Sequence, residues 1–229
     1  MAINIRRTSD VSVQGIKCVV YGESGVGKTV LCSTAPSPFI ISAEQGLLSL
    51  QSLDVPYVEA LSIKQIGEIY NFLRSDSEEA KQFETICIDS LSEMTSVCLL
   101  EIKRDMIAES QSGKIDARQS YGKLAESVGT MIRRFRDMKD KNVIFVAKQK
   151  RVEDDDAGTS SFQPFLPGKV LPFDLPYLVD EVFCMRMARD KTRYLQTSME
   201  RKYVAKDRSG KLDPEERPDL SQIFNKIRS

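Results

Sequence analysis

The sequence contains no histidine. That absence excludes Ser-His-Asp and Cys-His triads, imidazole general bases and histidine-ligated zinc. Tryptophan is absent too, and neither sign of charge is in excess: 33 Lys plus Arg face 33 Asp plus Glu in 229 residues. With no net field, contact with nucleic acid or membrane must come from local patches. The five cysteines (Cys18, Cys32, Cys87, Cys98, Cys184) form no C-x-x-C pair. Cys18, Cys87 and Cys184 sit inside apolar runs, a setting for buried free thiols rather than disulfides or metal. No apolar run approaches the roughly 18 residues of a membrane span. The opening MAINIRRTSD lacks a signal-peptide core. The expectation is a soluble protein of a reducing cytoplasm with no membrane partner.

What is present is more specific. Gly22, Glu23, Ser24, Gly25, Val26, Gly27, Lys28 and Thr29 spell the phosphate-binding loop G-x-x-x-x-G-K-[ST]. An apolar, β-branched run (16–21) precedes it and a helix-compatible stretch (30–35) follows. Strand, glycine loop and helix start are the context that gives the motif its meaning. The glycines let backbone N–H groups turn inward and approach phosphate oxygens closely. The helix N-terminus adds partial positive charge. Lys28 is expected to reach the β- and γ-phosphates, and the Thr29 hydroxyl to hold Mg²⁺. The cofactors expected are ATP and Mg²⁺. No [NT]-K-x-D guanine-reading motif occurs, which argues against a signalling GTPase.

Apolar runs at 16–21, 38–42, 83–89, 142–147, 179–187 and 193–197 read as strands. Most are continuous, as in a parallel sheet covered on both faces. Helical stretches at 28–34, 63–74, 91–108 and 119–139 alternate with them. In the last, Tyr121, Leu124, Val128, Met131, Ile132, Phe135 and Met138 recur at helical spacing. The fold class is therefore α/β: a mostly parallel twisted sheet flanked by helices. Asp190-Lys191 is expected to turn a hairpin that adds an antiparallel C-terminal edge. Segments 109–117 and 152–176 read as loops, the second unusually long for one without a function or mobility. The chain reads as a single domain over 1–229, with a core at about 14–212. The tail 213–229 reads as a turn and a short helix.

Three strand tips carry polar residues that can complete a nucleotide site, because ligands of open α/β sheets sit at the carboxyl ends of strands. Asp89 ends 83–89 and fits the Mg²⁺-holding carboxylate of a Walker B strand. Glu44 follows 38–42; it can activate water, or balance a helix dipole. Gln149 follows 142–147; it can bond the γ-phosphate, or be a solvated amide.

The order of these motifs resembles the RecA-like recombinase core: Walker A, then a strand ending A-E-Q-G, one ending I-D-S, one ending in Gln. The resemblance spans roughly 14–227. With the closing YLQTSMERKYVAKDRSGKL (194–212) and L-P-G-K (166–169), it is closest to phage single-strand annealing ATPases of the Sak-four type. It implies a RecA-like P-loop NTPase core, with Glu44 as catalytic base, Asp89 as Mg²⁺ carboxylate and Gln149 as γ-phosphate sensor. It further implies that Lys206 and Arg208 enter a neighbouring subunit's ATP site, where a cation stabilises transferring phosphoryl charge. Spacing alone leaves that pair open to a bland reading, an exposed charged hairpin.

The function implied is an ATP-dependent DNA recombination ATPase that binds single-stranded DNA and promotes annealing. The partners implied are single-stranded DNA, further copies in a ring or filament, and a single-strand-binding protein. If phage-encoded, the chain belongs in the host cytoplasm. Candidate DNA surfaces are the loops 109–118 and 152–172, with Lys114, Arg118, Lys148, Lys150, Arg151 and Lys169. Phe162 or Phe165 can stack on bases, or simply pack in the core. The acidic run Glu153-Asp154-Asp155-Asp156 opposes phosphate binding there. A small-molecule P-loop kinase and a helicase-loader-like regulatory ATPase stand as alternatives. The Glu-Ser-Gly-Val filling of the loop departs from RecA, and the chain lacks RecA's N-terminal oligomerisation elements and C-terminal domain. Both differences bear on filament formation rather than on ATP binding.

Overall fold

A computed structural model describes residues 14–44, 47–111, 113–154, 158–200 and 202–229. The opening decapeptide, Gln45-Gly46 of the A-E-Q-G stretch, and Asp155-Asp156 of the acidic run lie outside the described residues.

The phosphate-loop strand β1 (Lys17–Gly22) stands near the middle of a ten-stranded sheet. On one side it pairs in parallel with β5 (Asn142–Asp154), which pairs with β4 (Thr85–Asp89), then β2 (Pro38–Ser42) and the edge strand β3 (Tyr57–Glu59). On its other side it pairs in parallel with β7 (Glu181–Met187). Beyond β7 the pairing turns antiparallel, with β8 (Arg193–Gln196), β9 (Lys206–Asp207) and β10 (Glu215–Glu216). The α/β class, the parallel body and the antiparallel C-terminal edge are those the sequence predicts.

The uninterrupted apolar runs follow from burial on both faces. In β1, Val19 and Tyr21 pack into one core with α2 (Ile63–Leu73), α4 (Leu91–Glu109) and α5 (Ala117–Arg136). Cys18 and Val20 point the other way, into a second core with α1 (Lys28–Cys32) and α7 (Leu220–Arg228). Side chains alternate with period two, so a strand covered twice needs apolar residues throughout. All five cysteines are buried free thiols.

The predicted loop at 152–176 is a correction. Strand β5 does not stop at Ala147 but runs on to Asp154 and folds back as β6 (Thr159–Phe165). The same strand changes character on the way: NVIFVA is buried, whereas KQKRVE is polar and, beyond Lys148 opposite Gly22 of β1, pairs with β6 alone among the described residues. A ribbon that leaves the sheet no longer needs apolar residues, and its charges read as a loop. Gly158, with φ 61°, supplies the left-handed conformation of the turn. Next comes α6 (Val170–Leu178), whose Pro172 and Pro176 masked the helix in the sequence. Pro172 falls in the first turn, where its missing N–H breaks no bond. A short helix α3 (Glu78–Lys81), also unpredicted, is capped by Ser77.

Candidate nucleotide-binding cleft

Strand β1 ends at Gly22, where an added Cβ would lie 2.4 Å from the Met185 carbonyl oxygen. Gly25 and Gly27 have φ 76° and 105°, which favour glycine. The chain then enters α1 at Lys28, with the helix N-terminus facing the loop. The Lys28 ammonium donates to the Gly22 and Glu23 carbonyls, at 2.9 and 2.8 Å. It therefore lies within the loop that phosphate is expected to fill. Burial lowers its pKa, while Asp89 and Glu44 pull the other way.

Parallel pairing brings the other strand tips alongside. Thr29 Oγ1 donates to Asp89 Oδ2 at 2.6 Å, tying the two expected Mg²⁺ ligands together. Asp89 is buried, which raises its pKa; Thr29 and Lys28 oppose the shift and Glu44 adds to it. A hydroxyl and a carboxylate in contact, short of partners and aimed at a phosphate loop, are the hard oxygen donors Mg²⁺ takes. Ser90 Oγ donates to Glu44 Oε1 at 2.6 Å, while accepting from the Glu93 N–H that opens α4. Gln149 lies on β5, half-buried, and its Oε1 accepts a long 3.8 Å bond from the Cys184 thiol. A cleft of about 630 Å³ is lined by the loop residues Gly22 to Thr29 other than Val26, together with Glu44, Asp89, Ser90, Lys148 and Gln149. The three strand-tip residues converge because β2, β4, β5 and β1 are successive neighbours in the sheet.

The matching family model covers residues 14–209 and is described as an AAA domain, AAA_24. The chain belongs to this AAA-domain family. With the loop and the strand order above, it is a P-loop ATPase by family and has the RecA-like α/β form of that fold. No curated protein sequence matches. Among solved structures it is similar to the flagellar accessory protein FlaH from Methanocaldococcus jannaschii, at 11% identity and a TM-score of 0.40, covering 85% of this chain and 88% of that one.

Lys206 and Arg208 do not line the cleft of their own chain. Both sit by the amino end of β7, where Val182 pairs with Lys206 and with Val19 of β1. Val19 is three residues before Gly22, roughly 10 Å along the strand. The Lys206 ammonium donates to the Pro176 and Val179 carbonyls at the end of α6. Arg208 is exposed and pairs with Asp180 at 2.9 Å.

The expected DNA-facing residues divide between the β5–β6 arm and the starts of α5 and α6. Lys148 pairs with Glu93, and Arg151 with Glu153 at 3.3 Å. Phe162 stacks on Tyr203 at 4.9 Å between centroids, and Phe165 lies 5.6 Å beneath Lys150. Lys169 is exposed at the start of α6, and Arg118 in the first turn of α5. The large exposed aromatics next to the β5–β6 arm are instead Phe173 and Tyr177 of α6, which sequence reasoning passed over behind the prolines. Arg193 and Ser49 also line the cleft unpredicted. The Asp190-Lys191 turn announced a hairpin, but nothing local says where its second strand points. No helix among the described residues is long and apolar enough to cross a membrane.

Proposed function

We propose that this chain is an ATP-hydrolysing DNA recombination ATPase that binds single-stranded DNA and promotes annealing of complementary strands. The observation that carries its ATPase half is the convergence of Thr29, Asp89, Glu44 and Gln149 on the phosphate loop. In this reading residues 22–29 cradle the triphosphate through backbone N–H groups. The Thr29 hydroxyl and Asp89 hold Mg²⁺, which when bound offsets charge on the β- and γ-phosphates. Glu44, exposed and held by Ser90, orients and deprotonates the attacking water. Gln149 bonds the γ-phosphate; because it lies on the strand that continues into the β5–β6 arm, its bond links the nucleotide to the arm.

The DNA half rests on the resemblance to RecA-like annealing proteins and on the continuity of the arm with Lys148 and Gln149, which line the cleft. The across-subunit role falls to Arg208, whose guanidinium is exposed; Lys206 is engaged by α6. Other copies in a ring or filament, and a single-strand-binding protein, are the partners this reading names. A second reading, a nucleotide-controlled protein-docking ATPase, draws on the exposed Phe173–Tyr177 pair.

ATP hydrolysis measured with and without single-stranded DNA, over a range of protein concentration, separates the two. The recombination reading expects turnover to rise with DNA, and binding to weaken steeply with salt. Unchanged turnover and unchanged DNA mobility would end it in favour of the docking ATPase. Mixing Arg208→Ala with Glu44→Ala protein should partly restore activity if Arg208 works in a neighbour's site, and no recovery at any ratio removes that element.

A further inference from the structure

Three cations line the cleft: Lys28, Lys148 and Arg193. Lys28 is bonded to two loop carbonyls, and Lys148 is paired with Glu93. Arg193 has no hydrogen bond or ion pair with a described residue. Carboxylates share the cleft with it, at Glu23, Glu44 and Asp89, yet no ion pair joins Arg193 to any of them.

The side chain is exposed, but the hairpin fixes its backbone. Arg193 opens β8, in register with Met187 at the end of β7. The turn between them is closed by the Ala188 N–H on the Thr192 carbonyl and by Asp190 Oδ1 accepting from the Thr192 N–H. Lys191 takes φ 69° inside that turn. The result is close approach to the phosphate loop: a Cβ placed on Gly27 would lie 3.4 Å from Arg193 Nε and 3.6 Å from its Cδ. The stem of Arg193 thus lies against the glycine that precedes Lys28, beside the N-terminus of α1. In the sheet order β8-β7-β1-β5-β4, Arg193 and Asp89 approach the loop from opposite flanks.

Resting on the reading that this cleft takes ATP, we propose that Arg193 is a nucleotide-binding residue acting in cis. Its guanidinium donates to non-bridging oxygens of the diphosphate portion, on the flank of the loop away from the Mg²⁺ ligands. The forked N–H groups of arginine match two phosphate oxygens, and the group stays charged at any working pH. A guanidinium that lines the cleft and bonds no described residue, the cleft carboxylates included, is a donor set left open for an anion that enters later. Because the contact is to the diphosphate, ADP and ATP gain from it alike. Because it is made within one chain, it does not depend on assembly.

The test is the affinity of dilute protein for ADP and for a non-hydrolysable ATP analogue, with Mg²⁺, by titration calorimetry. Arg193→Ala should bind both about tenfold more weakly, the size of one lost charge-assisted contact. Arg193→Lys should recover part of the loss, since it restores the charge without the fork. The unfolding midpoint of the nucleotide-free Arg193→Ala protein should match wild type, which rules out a merely structural effect. Unchanged ADP affinity in Arg193→Ala overturns the proposal, whatever happens with ATP. Failure of the wild type itself to bind either nucleotide defeats the reading of the cleft instead, so the two failures are told apart.

Discussion

At the carboxyl ends of the central strands, side chains hold one another through single contacts, Thr29 on Asp89 and Ser90 on Glu44, while Arg193 bonds no described residue. At the amino ends of β1 and β7 the charges are bound into the chain several times over. Lys17 Nζ donates to the Met138 and Lys141 carbonyls, and its backbone N–H to Asp180. Asp180 also takes Arg208. Glu181 accepts from the Arg208 and Ser209 N–H groups, and Lys206 closes α6. Burial takes the Lys17 ammonium down to about 8 against the pull of Asp180, and takes Glu181 up to about 7 with Asp207 adding to the shift. Both ends hold ionisable groups out of water. One end satisfies them internally and holds the strands together; the other leaves donors and acceptors short of partners that a bound nucleotide and metal can supply. A perturbed charge alone therefore does not mark a site. Lys28 has two carbonyl partners, as Lys206 does; it is the carboxylates that separate the two ends, with one donor each on Asp89 and Glu44 against two each on Asp180 and Glu181.

The largest break in that comparison is expected from Lys28→Ala. Removing the ammonium takes away the cation of the phosphate loop and should lower ATP turnover by about 10²-fold or more. It should leave folding almost untouched, because Lys28 is itself only half-buried and bonds just the last carbonyl of β1 and the exposed Glu23 of the loop. Phosphate release and thermal unfolding on the same preparation check both halves. A strong loss of stability would mean that Lys28 is structural, like its counterparts at the other end.

The cleft was legible because its parts are short-range signals repeated at strand tips. The loop pattern is eight consecutive residues, and Glu44, Asp89 and Gln149 each follow an apolar run, so parallel pairing alone delivers them to one place. The arm, α6 and Arg193 were not legible for separate reasons. Strand β5 swaps buried for solvated surroundings halfway, and its continuous apolar run ends with the burial. In α6 the prolines signal a break, but burial of Leu171 and Leu175 against the core outweighs the cost of Pro176. Arg193 reaches the loop because the local β7–β8 hairpin is carried there by the parallel pairing of β7 with β1, a long-range step that no window of sequence contains. Lys206 and Arg208 show the converse: the resemblance implies a place in a neighbour's site, yet both side chains are engaged inside their own chain, Lys206 by the end of α6 and Arg208 by Asp180.

Lys206→Met offers a smaller effect and sharpens the contrast from the other side. The ammonium bonds two carbonyls at the end of α6, where positive charge also meets the helix dipole. Its loss should cost about 1–2 kcal/mol of stability in urea unfolding. Nucleotide affinity should not move. A fall in affinity without a fall in stability would place Lys206 with the cleft residues rather than with the scaffold.

The smallest effect is a pH dependence at Glu181. Its carboxyl is raised from 4.5 to about 7, first by burial and then by Asp207. Asp207, although burial works against it, is held low by hydrogen bonds from Ser209, Leu212 and Gly210. A group whose folded pKa is raised contributes stability that is full below its unfolded value and lost as pH rises through the folded one. Wild-type stability should therefore fall between about pH 5 and pH 8. Glu181→Gln cannot ionise, yet keeps an oxygen for the Arg208 or Ser209 N–H, so it should flatten that fall by about 1 kcal/mol after allowance for solvent screening. Asp89, also raised by burial, adds a slope of the same sign from the cleft, so the difference between the two proteins carries the information. The shift at Lys17 acts in the opposite sense above about pH 8, outside the measured window. Urea midpoints at pH 5 and pH 8 suffice. Equal slopes in wild type and Glu181→Gln would mean that the pH sensitivity of this fold comes from the cleft, reversing the assignment of scaffold and site between the two ends of the sheet.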